Sequence, residues 1–221
     1  MELPPDLVAP GLEWAGQALF WPLLGWVVWR ARRGALLAAL GSNLFLGSCV
    51  GILVVWQLRA GIAPAPPVHL LGTTLLCLMF GPWLALLGIV GVLAVATFGG
   101  GAGGWWGFGL NALLLAALPI TSTELLRRWV RDRLPRNPFI YIFVAAFANA
   151  ALAIAVLGAV SGALLVLASP LDLDYVVRMH WASYLLLLFP EAFVTGGVVT
   201  LLVVYRPDWI RSYDDDYAPE S

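Results

Sequence analysis

His69-Leu70-Leu71-Gly72-Thr73-Thr74-Leu75-Leu76-Cys77-Leu78-Met79-Phe80, followed by Gly81-Pro82-Trp83, is the stretch on which the fold turns. It reads either as the first part of one kinked helix that continues to Phe98, or as a short pass broken at Gly81-Pro82 before another begins. The two readings give six and seven membrane spans. Twelve helical residues reach about 18 Å, well short of the ~30 Å hydrocarbon core. A pass this short has to be packed inside the protein. Irregular backbone on its flanks survives at that depth only where protein covers it or a cavity lies beside it.

The rest of the chain settles the medium. Hydrophobic residues make up 61% of the 221 and charged residues 11%, against roughly 45–50% and about 25% in soluble domains. So few charges cannot coat a water-soluble globule, and so much apolar content excludes low-complexity disorder. Net charge is −1, which gives no basic surface for nucleic acid. Candidate spans run over 14–29, 35–58, 69–80, 83–98, 106–126, 138–166 and 177–205. They are separated by turn chemistry at Arg30–Arg33, residues 61–67, Gly81-Pro82, residues 99–104, residues 131–138 and residues 169–174. The N-terminus, Met1-Glu2-Leu3-Pro4-Pro5-Asp6, is acidic and lacks the positive region of a signal peptide, so the first span is expected to be retained.

Arginine placement chooses between six spans and seven. With seven spans and the N-terminus outside, Arg30, Arg32, Arg33, Arg127, Arg128, Arg131, Arg133, Arg136, Arg206 and Arg211 face the cytoplasm, and only Arg59 and Arg178 lie outside. Merging the two short passes would put the 127–136 cluster opposite Arg30–Arg33 and break the positive-inside rule. The expectation is an all-α integral membrane protein: a compact bundle of seven transmembrane helices, N-out and C-in, with a short broken third pass. Residues 1–205 form its single domain and 206–221 an acidic cytoplasmic tail, in a bacterial inner membrane. Trp14, Trp56, Trp105, Trp106 and Trp181 fall near the outer boundary, and Trp29, Trp83, Trp129 and Trp209 near the inner one, as aromatic belts do. Gly47 with Gly51, and Gly158 with Gly162, have the small-xxx-small spacing that lets helices approach closely.

Polar residues inside spans are few and are functional suspects by default. His69, Thr73 and Cys77 share one helical face at four-residue intervals. Asn111 follows the glycine-rich run 99–104, and His180, Tyr184 and Glu191 form a stripe on the last span, where Pro190 is expected to kink the helix. Each has a plainer reading. Either histidine can simply meet headgroups and water, Asn111 can join two helices, and Glu191 is best read as structural, bonded to a neighbouring helix. Cys49 and Cys77 have no CxxC spacing and read as buried apolar thiols. No HExxH, GxSxG or nucleophile–base pair occurs, and the glycine-rich run lacks the P-loop lysine. An enzyme is not expected.

The run Val68-His69-Leu70-Leu71-Gly72-Thr73-Thr74-Leu75, then Met79-Phe80-Gly81-Pro82-Trp83, resembles the CbiM/NikM permeases, the substrate-binding membrane subunits of cobalt and nickel energy-coupling-factor transporters. Gly103-Gly104 leading to Gly109-Leu110-Asn111, Asn137-Pro138 opening an alanine-rich span, and Glu191 extend the likeness over about residues 35–205, as in a shorter, divergent branch. The resemblance implies capture of a divalent transition metal from outside, as substrate and not as resident cofactor. It also implies docking onto a transmembrane coupling subunit driven by two ABC ATPases, since no ATPase motif occurs here. It points to His69, Met1, Glu2, Asn111 and Thr73 as substrate-binding residues, with His180 and Glu191 as structural intramembrane polar groups. This chain departs from the family in two places: Glu2 stands where the metal transporters carry His, and Ala102 where they often carry Asp or His. The alternative reading is a membrane anchor or assembly subunit of another complex, its polar residues structural.

Overall fold

The computed structural model describes residues 1–4, 7–31, 33–59, 68–99 and 104–217. Pro5, Asp6, Arg32, residues 60–67, residues 100–103 (Ala102 among them) and residues 218–221 lie outside the described residues. The chain is all-α: α1 Pro10–Arg30, α2 Arg33–Leu40, α3 Asn43–Gln57, α4 Thr73–Phe80 and α5 Pro82–Phe98. Then come α6 Gly104–Arg133, α7 Pro138–Ala168 and α8 Leu173–Tyr205, and a short terminal helix, α9 Arg211–Tyr217. By length and composition α6, α7 and α8 can each cross a membrane, while α3 and α5 are shorter apolar helices. The outward face of α8 carries Leu185, Leu186, Phe189, Phe193 and Leu201 in the open, a surface compatible with lipid and not with water.

Boundaries follow local chemistry. The expected span 35–58 is two helices. The Gly41 amide closes α2 by donating to Leu37 at 3.0 Å, and Ser42 caps α3 by accepting from the Phe45 amide at 3.4 Å. Sequence hydropathy runs straight through this Gly-Ser and registers a single span. The break at Gly81-Pro82 is present: Gly81 takes a positive φ of 82° and Pro82 starts α5, where its missing N–H costs nothing. The short pass is shorter than expected. α4 begins at Thr73 and has eight residues, and residues 69–72 before it are not helical. Within α6 a π-helical turn, Leu113–Ala117, precedes Pro119 and absorbs the proline's steric demand.

α1 crosses α6 with backbone against backbone. A Cβ on Gly109 would lie 2.8 Å from the Gln17 Cα, and one on Gly16 would lie 2.8 Å from the Leu110 backbone nitrogen. Gln17 secures this crossing by donating to the Trp105 and Trp106 carbonyls at 2.8 and 3.0 Å. The expected glycine stripes divide. Gly158 and Gly162 are filled by Tyr184 and by Trp181 of α8, whereas Gly47 and Gly51 face open space. Trp56, expected at the outer boundary, is 1% exposed and belongs to the core. At the arginine-rich end the stretch expected as a tail packs onto the bundle. Ile210 is fully buried beside Leu78, Tyr141 and Val199. Ser212 donates to the Leu78 carbonyl at 2.8 Å and lies 2.6 Å from the Tyr141 hydroxyl.

Gly109→Ala is expected to destabilise the protein by roughly 1–3 kcal/mol, the usual cost of overpacking. Gly47→Ala should change stability by less than about 0.5 kcal/mol. Thermal unfolding in detergent, followed by tryptophan fluorescence, reads both.

Candidate functional site

The irregular backbone before α4 is held from three sides. The Glu191 side chain of α8 accepts from the Leu71 amide at 2.7 Å and from the Gly72 amide at 2.8 Å, one through each oxygen. Gly72, at φ 68°, lets the chain turn into α4, a conformation that costs side-chain-bearing residues about 1 kcal/mol or more. From α3 the Trp56 indole donates to the Leu71 carbonyl at 3.1 Å, and its ring lies 4.6 Å from the His69 imidazole. Inside α4 the Thr73 hydroxyl donates to the Leu115 carbonyl at 3.2 Å. That carbonyl is the one Pro119, four residues on, cannot serve.

This frame fixes the His69 tautomer. Nδ1 lies 3.0 Å from the Leu70 carbonyl, which can only accept, so Nδ1 carries the proton and Nε2 presents its lone pair. His69 is 3% exposed, and Nε2 is buried with no hydrogen-bond partner. An imidazole oriented through one nitrogen, with the other bare, is arranged as a metal-ligating histidine is arranged.

The N-terminal segment threads into the bundle over this point. The Ala9 amide donates to the Ala168 carbonyl at 2.9 Å at the end of α7. Deeper in, Asn111 of α6 grips Leu3 at both ends of its amide: Oδ1 accepts from the Leu3 amide at 2.8 Å, and Nδ2 donates to the Leu3 carbonyl at 3.1 Å. Gly107 leaves the room for this grip, since a Cβ there would lie 3.3 Å from Asn111 Nδ2. Met1 and Glu2 are consequently buried, at 8% and 6% exposure, and Glu2 Oε1 has no partner. The Met1 backbone nitrogen lies within electrostatic reach of both His69 and His180.

His180 sits on the other side of this segment, in the π-helical start of α8, and is 2% exposed. It is a buried group and not one that meets headgroups and water. Its Nε2 lies 2.9 Å from Ser161, whose own proton goes to the Leu157 carbonyl at 2.6 Å, so Nε2 is the donor and Nδ1 is bare. Nδ1, the Tyr184 hydroxyl and Glu2 Oε1 are unpartnered polar atoms of residues lining one cavity of about 20 Å³, room for a single water-sized body.

The structure thus brings Met1, Glu2 and His180 to one small cavity; His69 is not in its lining, and its link to the segment is electrostatic reach of the Met1 backbone nitrogen. It does not deliver Asn111 or Thr73 as free oxygen donors, because both are committed to backbone. Among the described residues no group of three or more His, Cys, Asp or Glu gathers closely enough to hold a metal ion. Sequence reading assigns Trp56 to the outer aromatic belt and does not single out Gln17 or Ser161. Each is a polar or aromatic residue inside an apolar run, and that was the available signal; what it bonds to lay 15, 88 and 19 residues away.

Three helices long and apolar enough to cross a membrane, with irregular backbone and unpartnered buried polar atoms packed among them, define a multi-spanning helical membrane protein. The chain belongs to the CbiM family, described as the cobalt uptake substrate-specific transmembrane region, whose model matches residues 2–209. The family is a metal-transporter component and not an enzyme. A crystal structure described as a truncated transition metal transporter shares the fold at TM-score 0.78 and 17% identity, over 93% of this chain and 99% of that one. A second, described as a transition metal transporter, aligns with the same score and identity over 92% and 93%. No curated protein matches the sequence significantly.

Glu191→Ala strands two buried amides at about 1–3 kcal/mol each, so the unfolding midpoint should drop sharply. Asn111→Ala should leave the midpoint less affected while raising hydrogen exchange at Leu3, because it frees a terminal segment. Amide exchange by mass spectrometry reads the difference.

Proposed function

We propose that this chain is the substrate-capture subunit of an energy-coupling-factor importer for a divalent transition metal such as cobalt or nickel. The observation that carries the reading is the bare, buried Nε2 of His69 beneath an N-terminal segment that Asn111 holds in place. Imidazole nitrogen suits Co²⁺ and Ni²⁺. Glu2 brings a carboxylate that offsets the ion's charge in a buried site, and Met1 completes the near surroundings. Asn111 and Thr73 act on the site through the backbone they hold, and Glu191 acts through Leu71 and Gly72. The family's own description, substrate-specific and transmembrane, supports this assignment.

The remaining parts of the reading concern setting. The chain crosses a bacterial cytoplasmic membrane seven times, N-out and C-in, with α4 and α5 as separate passes joined at Gly81. It hands its cargo on through a transmembrane coupling subunit and ABC ATPases that dock from the cytoplasmic side.

His69→Ala is expected to cut Co²⁺ or Ni²⁺ affinity by at least roughly 100-fold, the upper end of what losing a mere supporting partner costs, with the unfolding midpoint little changed. Isothermal titration of purified protein with each metal checks this, and unchanged affinity would refute the site. For topology, with Cys49 and Cys77 replaced, a cysteine at Pro170 should react with an impermeant thiol reagent in whole cells and one at Arg133 should not. The reverse pattern would refute the seven-pass orientation.

A further inference from the structure

A second imidazole is buried in the bundle apart from His69. His180 lies in the π-helical start of α8, Val176–Trp181, a local geometry that recurs at functional sites. It lines a cavity of about 20 Å³ together with Glu2 and Tyr184. His180 Nδ1, Glu2 Oε1 and the Tyr184 hydroxyl are each buried with no hydrogen-bond partner, in residues at 2%, 6% and 5% exposure. Burying a polar group without a bond is costly, and three such groups on residues around one small space call for an occupant.

The two groups on α8 are held in place from α7. His180 Nε2 donates to the Ser161 hydroxyl at 2.9 Å, so the bare lone pair belongs to Nδ1. Trp181, next in the chain, donates its indole proton to the Gly158 carbonyl at 3.0 Å. Tyr184 packs on the same glycine, where an added Cβ would stand 2.8 Å from the tyrosine Cβ, and its ring lies 4.7 Å from the imidazole. Glu2 comes from the N-terminal segment that Asn111 holds through Leu3. A histidine oriented through one nitrogen, with a carboxylate lining the same cavity, is prepared for a cation.

We propose that His180 Nδ1 and the Glu2 carboxylate form a second position for a divalent transition metal, with the Tyr184 oxygen as a weaker neighbour. The proposal rests on the metal-capture reading for the identity of the cargo, and not for its ligands, which exclude His69. Imidazole nitrogen favours a transition metal over Mg²⁺ or Ca²⁺, and the carboxylate offsets half of the ion's charge. Among the described residues lining the cavity no arginine opposes a cation. The space holds one water-sized body, so a hydrated ion does not fit and the cargo enters by exchanging waters for these atoms. Groups about 2.8 Å from the centre of a water close to about 2.0–2.2 Å around a metal, a contraction that a segment without helix at residues 1–4 accommodates. The same requirement excludes Mg²⁺, which dehydrates reluctantly. One imidazole and one carboxylate are fewer than the ligands of a tight site, so this position is weak and gives its ion up again.

Isothermal titration of the full-length protein in detergent with Co²⁺, in a buffer holding Mg²⁺ in excess, tests the position. His69→Ala should retain a weaker site for one Co²⁺ per chain, and adding His180→Ala should weaken that site at least about tenfold. Glu2→Gln in the His69→Ala background keeps the shape, drops the charge and should do the same; it serves where His180→Ala does not fold. Asp174→Asn, at an exposed carboxylate near the start of α8, should not. A residual site indifferent to both His180→Ala and Glu2→Gln, or weakened equally by Asp174→Asn, overturns the proposal. So does a residual site that Mg²⁺ fills. No residual Co²⁺ binding in His69→Ala also overturns it, leaving water as the occupant and the His69 reading intact. Affinity that survives His69→Ala and falls with His180→Ala supports this position and refutes the one at His69.

Discussion

Two amide protons, those of Leu71 and Gly72, rest on the carboxylate of Glu191, and the rest of the molecule is arranged around that pair of bonds. Without them the chain would carry unserved backbone at bundle depth, at a cost of several kcal/mol for each group. With them, residues 69–72 can stay non-helical, α4 can be only eight residues long, and His69 can be held by its own backbone neighbour. Trp56 serves the remaining carbonyl and covers the imidazole face. A fully helical pass would have spent those backbone groups internally and left no fixed loop to carry a site.

The N-terminal segment is the second half of the construction. It has no helix of its own at residues 1–4, so its backbone must be served from elsewhere, and Asn111 and Ala168 do so. Bonding through Leu3 places Met1 and Glu2 at the cavity lined by His180 of α8, with the Met1 backbone nitrogen within electrostatic reach of His69. Ser161 and Leu70 then fix which nitrogen of each imidazole is bare. Glu2 Oε1, His180 Nδ1 and the Tyr184 hydroxyl, atoms that are expensive to bury unpaired, thereby belong to the lining of one small cavity. At the α1–α6 crossing beside it, Gly16 and Gly109 bring backbones into contact.

α4 also separates the His69 approach from the arginine-rich end of the molecule. Its eight residues rise about 12 Å from the His69 approach to Gly81, and the positive φ of Gly81 turns the chain into α5. The same short helix therefore sets the depth of the pocket at one end and aims the uncapped start of α5 at the arginines of the other. Ser212, bonded to Leu78 of α4, brings Arg211 to that second end.

Composition alone determined the medium, because 11% charged residues cannot cover a water-exposed surface. Turn chemistry at Gly81-Pro82 was equally legible, since a proline without an N–H and a glycine free to take positive φ mark a helix start whatever surrounds them. His69, Asn111 and Glu191 stood out because polar groups in apolar runs are costly. Their partners did not: whether Asn111 binds a metal, a helix or Leu3 is decided by which backbone lies opposite, 108 residues away in the chain. The break at Gly41-Ser42 was hidden because hydropathy does not register a cap. Only the folded chain decided that Thr73 is committed to Leu115, that Trp56 is core and not interface, and that Gly16 and Gly109, not Gly47 and Gly51, mark the close crossing. Periodicity reports which residues avoid water, whereas pairing is a property of distances between segments, and these are set when the helices pack.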